Sequence, residues 1–150
     1  MEIIRFTHGQ SELFEQSARI RYRVFVEEQK VPGEIEYDEF EPECHHYLVF
    51  VNRVPVATCR WRETAKGIKL ERFAVLKEAR GSGAGKLMVK HLLREVVPLG
   101  KVIYLHAQEH VTAFYAKYGF TATGPRFSEA GIQHYRMEYK LENLPGSPES

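Results

Sequence analysis

The sequence predicts a single α/β domain built around a mixed sheet, and three observations carry the prediction. The chain has 150 residues, the length of one domain and enough to bury roughly 70% of the unfolded surface in a common core. From Ile68 to Ala107 an apolar run, a glycine-rich turn, a helical pattern and a second apolar run succeed one another, and strands separated in this way by a helix pair in parallel. Between Tyr47 and Trp61 two β-branched and aromatic runs are separated only by Asn52-Arg53, a two-residue connection that makes an antiparallel hairpin.

In chain order, Ile3 to Phe6 is a short strand. Ser11 is placed to cap a helix in which Leu13, Phe14, Ser17, Ile20, Val24 and Phe25 recur at helical spacing, as far as about Val26. The stretch from Glu27 to Glu43 holds Pro32, Gly33 and Pro42 without a period, which predicts loop. Strands follow over Tyr47 to Val51, Val54 to Trp61 and, after a turn at Lys66-Gly67, Ile68 to Val75. A helix over Lys86 to Val97 is stopped by Pro98, and the strand Val102 to Ala107 comes next. A short helix over about Thr112 to Tyr118 ends at Gly119, where a left-handed C-terminal glycine belongs. After a loop, Ile132 to Leu141 alternates His134, Arg136, Glu138 and Lys140 with Tyr135, Met137, Tyr139 and Leu141, a strand with one wetted face. The domain is expected to occupy residues 1–141, with 142–150 a frayed tail.

Charge and cysteine content argue against several classes. A formal net charge of +1 offers no general field for a polyanion, and the bases are dispersed among nearly equal acids, so no nucleic acid partner is expected. No run of eighteen apolar residues is present, so no membrane span is expected, and the opening MEIIRFTHGQ lacks the apolar core of a leader. Cys44 and Cys59 are too few for a disulfide framework and lack zinc-site spacing, so a reducing, cytoplasmic setting without a metal is expected. One region departs from the balance: Glu27 to Glu43 holds eight acids against Lys30 alone, a net −7. Such a run is either a solvated loop or an attractor for a cationic ligand.

The segment Arg80-Gly81-Ser82-Gly83-Ala84-Gly85 joins a predicted strand to a predicted helix. Glycine permits positive φ and close backbone approach, and the first N–H groups of a helix are unpaired and point at whatever precedes them. The amides from Ser82 to Lys86 could therefore converge on a phosphate, with Arg80 adding a charged donor. A bland glycine turn remains the alternative. A Walker loop is ruled out because Leu87 follows Lys86 and Arg80 holds the first glycine position, and the dinucleotide G-x-G-x-x-G pattern fails at Lys86 or at Met88.

The run LERFAVLKEARGSGAGKLMV resembles the acetyl-CoA motif of the GNAT acetyltransferases, a strand ending in Ala74-Val75 followed by Arg80 to Gly85 opening a helix. AQEHVTAFYAKYGF resembles the family's second landmark through Tyr115, Gly119 and Phe120, with Gln108 where the family has Asn and Val111 where it has Ala. RVFVEEQKVPGEIEYDE and EAGIQHYRM are similar to segments of the ElaA/YjcF-like branch, except that Gln133 replaces an expected Pro, so the resemblance spans nearly the whole chain. It implies a mixed, twisted sheet of about seven strands with helices on both faces, the fourth and fifth strands splayed to admit pantetheine. It implies acetyl-CoA as acyl donor and a small-molecule or protein amine as acceptor, and a homodimer is compatible with it. The cofactor contacts it implies are Ala74, Val75 and Leu76 at the strand end, Arg80, Gly81, Ser82, Gly83, Ala84, Gly85 and Lys86 in the loop, and Gln108 and Phe114 beyond.

Aminolysis of a thioester needs a neutral amine, a diphosphate site, donors for the oxyanion and a proton for the departing thiolate. Backbone N–H groups near Ala74 to Leu76 resemble the family's oxyanion donors, and Tyr115 matches its general acid; a packed aromatic is the alternative for Tyr115. Glu71 is the candidate base, a carboxylate amid apolar neighbours whose adjacent Arg72 points to the opposite face by strand alternation. A structural ion pair with another strand is the competing reading for Glu71, and His106 and His134 are rival bases. A non-catalytic acyl-CoA sensor on the same fold is the alternative function, distinguished from an enzyme by turnover.

Overall fold

The computed structural model describes residues 1–33 and 38–140. Glu34 and Glu36 of the acidic run, Leu141 and the expected tail lie outside the described residues. Among the described residues, eight strands form one sheet: β1 (Glu2–Phe6), β2 (His45–Val51), β3 (Val54–Thr64), β4 (Gly67–Val75), β5 (Ile103–Gln108), β6 (Phe120–Ala122), β7 (Phe127–Glu129) and β8 (Ile132–Tyr139). The spatial order is β1-β2-β3-β4-β5-β8-β6, with β7 also paired to β8. The short β6 and β7 are the strands that alternation missed, because three residues are too few to show a period.

The hairpin between β2 and β3 turns at Asn52 and Arg53, both with positive φ, 50° and 67°, which closes the Val51 and Val54 pair as a two-residue turn with matching twist. Helix α1 (Ser11–Arg21) starts at Ser11 instead of being capped by it, and the Gln10 side chain turns back to accept the Thr7 N–H at 2.8 Å. It continues as a wider π-helical stretch over Tyr22–Glu28, beyond the expected end. Helices α2 (Ala84–Val96) and α3 (Thr112–Ala116) follow β4 and β5. No helix among the described residues is long and apolar enough to cross a membrane.

Helices cover both faces of the sheet. Met88, Val89, Leu92 and Val96 of α2 bury against Trp61, Leu70, Ile103 and Leu105 on one face. Ile20 of α1 and Val24 and Phe25 of its extension bury against Phe6, Leu48, Ala74 and Leu76 on the other. β4 changes sides between these cores. Arg60 of β3 lies opposite Glu71 and Thr58 opposite Ala74, so two β4 residues, Arg72 and Phe73, face the single Cys59 in a bulge, with Arg72 at φ 58°. Ile68 and Leu70 therefore point toward α2, whereas Ala74 and Leu76 point toward α1. The same slip overturns the expectation that Arg72 faces away from Glu71: its Nη1 lies 3.8 Å from Glu71 Oε2.

β4 and β5 are parallel, as the strand, loop, helix, strand succession predicts, but they pair only from Ile68 with Ile103 to Leu70 with Leu105. Beyond that point β4 continues to Val75 and β5 to Gln108 without pairing to each other, and the sheet opens there.

Candidate active site

A cleft of ≈ 1040 Å³ occupies the opening between β4 and β5. Of the expected contacts, Val75, Arg80, Gly81, Gly83 and the run from Ala84 to Lys86 line it, joined by Gln108, Phe114 and Tyr115. Gly81 and Gly83 adopt φ of 85° and 95°, which L side chains rarely occupy, and the first α2 bond runs from Leu87 N–H to the Gly83 carbonyl. The amides just ahead of Leu87 thus have no carbonyl within the helix, and the helix dipole makes their end attractive to an anion. Ser82 lies off the cleft wall and acts locally, its Oγ accepting the Ala84 N–H at 3.3 Å. A Cβ on Gly85 would come within 3.2 Å of Phe114 Cζ, so glycine here lets α3 lie against the loop.

Glu28 and Gln29 of the N-terminal region reach this end. Arg80 Nη2 donates to both carboxylate oxygens of Glu28 at 2.9 Å, and its Nε donates to the Val75 carbonyl at 3.2 Å. Gln108 Nε2 donates to Gln29 Oε1 at 2.8 Å, linking β5 to the π-helical stretch across the cleft. Both side chains expected to hold the cofactor thus already have partners on the opposite wall.

At the strand end the expected group of three divides. Leu76 N–H donates to the Val56 carbonyl of β3 at 2.9 Å, so it is no longer a donor for a ligand, and Ala74 and Leu76 are buried in the α1-side core, off the cleft wall. Alternation then aims the Val75 N–H toward the open edge. Tyr115 sits below this edge, 7% exposed, its ring meeting Phe73, Phe114 and Phe120 at centroid distances of 5.9, 5.1 and 6.0 Å. Burial pushes its phenol well above the usual tyrosine value.

At the other end Glu71 is 8% exposed and surrounded by cations. Arg62 Nε lies 2.5 Å and Arg60 Nη2 3.3 Å from its Oε1, with Lys69 and Arg72 each 3.8 Å from Oε2. Burial alone would raise its carboxyl, but the charges of Arg60, Lys69, Arg72 and Arg62 outweigh burial and hold it below the ordinary carboxylate value. Behind it, Arg60 also holds Asp38 at 2.8 Å and Glu41 at 2.7 Å, and Arg21 grips Glu41 with two bonds of 3.0 and 2.7 Å. Asp38 and Glu41 are thus held by buried arginines and Glu28 by Arg80, so these three acids of the run already have cationic partners.

Facing Glu71 across the opening is His106, the β5 residue that follows the last paired position. Its Nδ1 lies 3.1 Å from Glu129 Oε1, and His134 Nε2 lies 3.6 Å from Glu129 Oε2. Glu129 was hidden in what reads as loop. The local signal for it is Ala130-Gly131, two residues at φ 53° and 78° that turn β7 into β8 and lay Phe127 to Glu129 along the strand bearing His134. Cys44 and Cys59 are buried free thiols away from the cleft wall, Cys44 pushed up to about 12 by burial and Cys59 well above its ordinary value for the same reason.

Comparison with known proteins places this geometry. Residues 11–141 match the model of the acetyltransferase (GNAT) domain. The chain is 39% identical over 120 residues to the uncharacterized N-acetyltransferase YjcF of Bacillus subtilis, covering 79% of this chain and 86% of that one. The crystal structure of Escherichia coli ElaA superposes with a TM-score of 0.84 at 25% identity, over 93% of this chain and 100% of ElaA. An acyl-CoA N-acyltransferase from Pseudomonas aeruginosa superposes with a TM-score of 0.82 at 26% identity, over 93% and 99%.

Proposed function

Because the chain belongs to the GNAT acetyltransferase family, we propose that it transfers the acetyl group of acetyl-CoA to a primary amine, of a small molecule or a lysine side chain, by direct attack on the thioester. The observation that carries this reading is the cleft itself, which joins unpaired helix amides at Gly85 and Lys86 to a buried phenol where the sheet divides. The diphosphate would rest on the loop from Gly81 to Lys86, drawing Arg80 from Glu28, while the arm runs between β4 and β5 past Gln108.

The Val75 N–H would then meet the oxygen of the thioester carbonyl as it gains charge. Tyr115 would give its proton to the departing sulfur. The donor must still hold that proton when the thiolate forms, and burial secures this. Glu71, expected as the base, is a poor proton acceptor with four cations around its carboxylate, and serves better to hold Arg62 and Lys69 on the acceptor wall. Neither cysteine reaches the cleft with a reactive thiolate, which favours direct transfer over an acetylated cysteine.

The test is release of free thiol from acetyl-CoA with spermidine, glucosamine and a lysine peptide as acceptors, in wild type and Tyr115→Phe. Wild type should turn over at least one amine. The variant, which keeps the ring and loses the hydroxyl, should retain affinity for coenzyme A and lose roughly 10² to 10⁴ in kcat. No thiol release with any amine, while coenzyme A still binds, would favour a sensor; a variant within about threefold of wild type would make Tyr115 a packing residue.

A further inference from the structure

We propose that His106 is the general base that frees the acceptor amine of its proton, and that Glu129 is the residue that positions it. This rests on the acetyl-transfer reading above and adds the proton acceptor which that reading lacks. The paired part of β4 and β5 ends at Leu70 and Leu105, so Glu71 and His106 flank the mouth of the splay from its two sides. Of these two, Glu71 serves Arg60, Arg62, Lys69 and Arg72. His106 keeps one nitrogen available.

The tautomer follows from the partners. A carboxylate can only accept, so the 3.1 Å contact between His106 Nδ1 and Glu129 Oε1 places a proton on Nδ1 and the lone pair of the neutral ring on Nε2. Among the described residues no hydrogen bond engages His106 Nε2, and the residue lines the cleft. The ring is steered from a second side by Phe127, edge to face at 5.0 Å. Glu129 stays ionised to serve it: the hydrogen bond from His106 is the largest influence, and with the charges of His106, Lys69 and His134 it lowers the carboxyl to about 2.

His134 is differently employed. Its Nδ1 donates to the Ile132 carbonyl at 2.7 Å, its Nε2 is directed at Glu129, and its ring stacks on Phe127 at 5.8 Å. With Nδ1 engaged on the backbone, its remaining nitrogen faces the Glu129 carboxylate at 3.6 Å, and with 7% side-chain exposure against 24% for His106 it is the less accessible of the two rings. Among the described residues no three such groups are disposed to bind a metal ion; His106 is hydrogen-bonded to Glu129, and His134 lies beside that carboxylate.

The proton count closes. The acceptor ammonium gives one proton to His106 Nε2, and the nitrogen lone pair forms the C–N bond as the C–S pair leaves on sulfur. The thiolate takes the Tyr115 proton. The nitrogen loses a second proton as the amide forms, which restores the phenol through water, and the imidazolium returns its proton to solvent. An ammonium, a thioester and no other reactant become an amide, a thiol and one released proton.

The charged and titratable groups around His106 are Glu129 on β7, His134 and Arg136 on β8, Tyr104 on β5, and Lys69 and Glu71 on β4. The experiment uses whichever of spermidine, glucosamine or the lysine peptide turns over fastest with wild type. His106→Gln should lose roughly 10² to 10⁴ in kcat while calorimetric affinity for acetyl-CoA is unchanged. Glu129→Ala should lose about tenfold in kcat at unchanged acetyl-CoA affinity, because without the carboxylate nothing holds the His106 proton on Nδ1. Nitrogen-15 imidazole spectra should show Nδ1 protonated and Nε2 bare in neutral wild type. His106→Gln within about threefold of wild type, or a neutral His106 still protonated on Nδ1 alone in Glu129→Ala, overturns the assignment. Wild type that binds acetyl-CoA and releases no thiol with any amine overturns the acetyl-transfer reading first and this one with it.

Discussion

At the end of the cleft proposed to hold the diphosphate the available groups are backbone amides of one short loop, whereas the end proposed for the acceptor is walled by the side chains of Asp38, Glu71, His106 and Glu129, backed by Arg21, Glu41 and Arg60. The two ends fail in different ways. A backbone site depends on dihedral angles and tolerates new side chains as long as the chain path survives. A buried charge network depends on every member, because removing one leaves an uncompensated ion out of water. The acceptor end should therefore be the region where substitutions lower stability, and the diphosphate end the region where they lower affinity without unfolding the protein.

The largest expected effect sharpens that contrast at Glu41, 6% exposed and shared by Arg21 and Arg60. Glu41→Ala should lower the stability of the whole domain by roughly 3–5 kcal/mol in denaturant titration. A loss under about 1 kcal/mol would show that water enters to replace the carboxylate. The effect carries a pH signature. Burial alone would raise the Glu41 carboxyl, but Arg21 and Arg60 more than offset it, so its folded value lies below its unfolded one. Its contribution is then complete above the ordinary carboxylate range, near 4, and fades as pH falls through the lower folded value. Wild type and variant should converge in stability as the solution is acidified below that range.

An intermediate effect is expected at Gly83, whose φ of 95° strains any residue with a Cβ and a β-branched one most. Gly83→Val should weaken coenzyme A binding by about tenfold or more while the fold persists. Unchanged affinity by calorimetry would remove the loop from the diphosphate site and break the comparison at its better-defined end.

The smallest effect is expected where the two materials meet. Glu28 occupies Arg80, and the pair is 35% and 46% exposed, so solvent screens most of its energy. Glu28→Gln should tighten coenzyme A binding about two- to fivefold, because Arg80 no longer has a competing carboxylate. Weaker binding instead would mean that Glu28 steers Arg80 toward the ligand, and the acidic run would gain a positive role in cofactor binding.

How far the chain could be read without its structure follows the same division. The loop from Arg80 to Lys86, the hairpin at Asn52-Arg53 and the parallel run of β5 were legible because each rests on neighbours in sequence: a glycine and its φ, a two-residue turn, a helix between two apolar runs. The β4 bulge was not. Alternation assumes an unbroken pleat, and one extra residue at Arg72 reverses every side chain after it. Arg72 illustrates the cost of that assumption, since alternation turns it away from Glu71 and the bulge brings its guanidinium to within 3.8 Å of that carboxylate.

The sequence by itself determined the single α/β domain, the glycine loop before α2 and the place of Tyr115 ahead of Gly119, all properties of φ, helix period and local spacing. Only the tertiary structure decided that Glu71 is held by four cations, that Asp38 and Glu41 are paired with buried arginines, and that Glu129 lies against His106. The physical reason is distance along the chain. Charge pairing in a low-dielectric interior depends on which groups the sheet order brings within about 4 Å, and no pattern of neighbouring residues records that meeting.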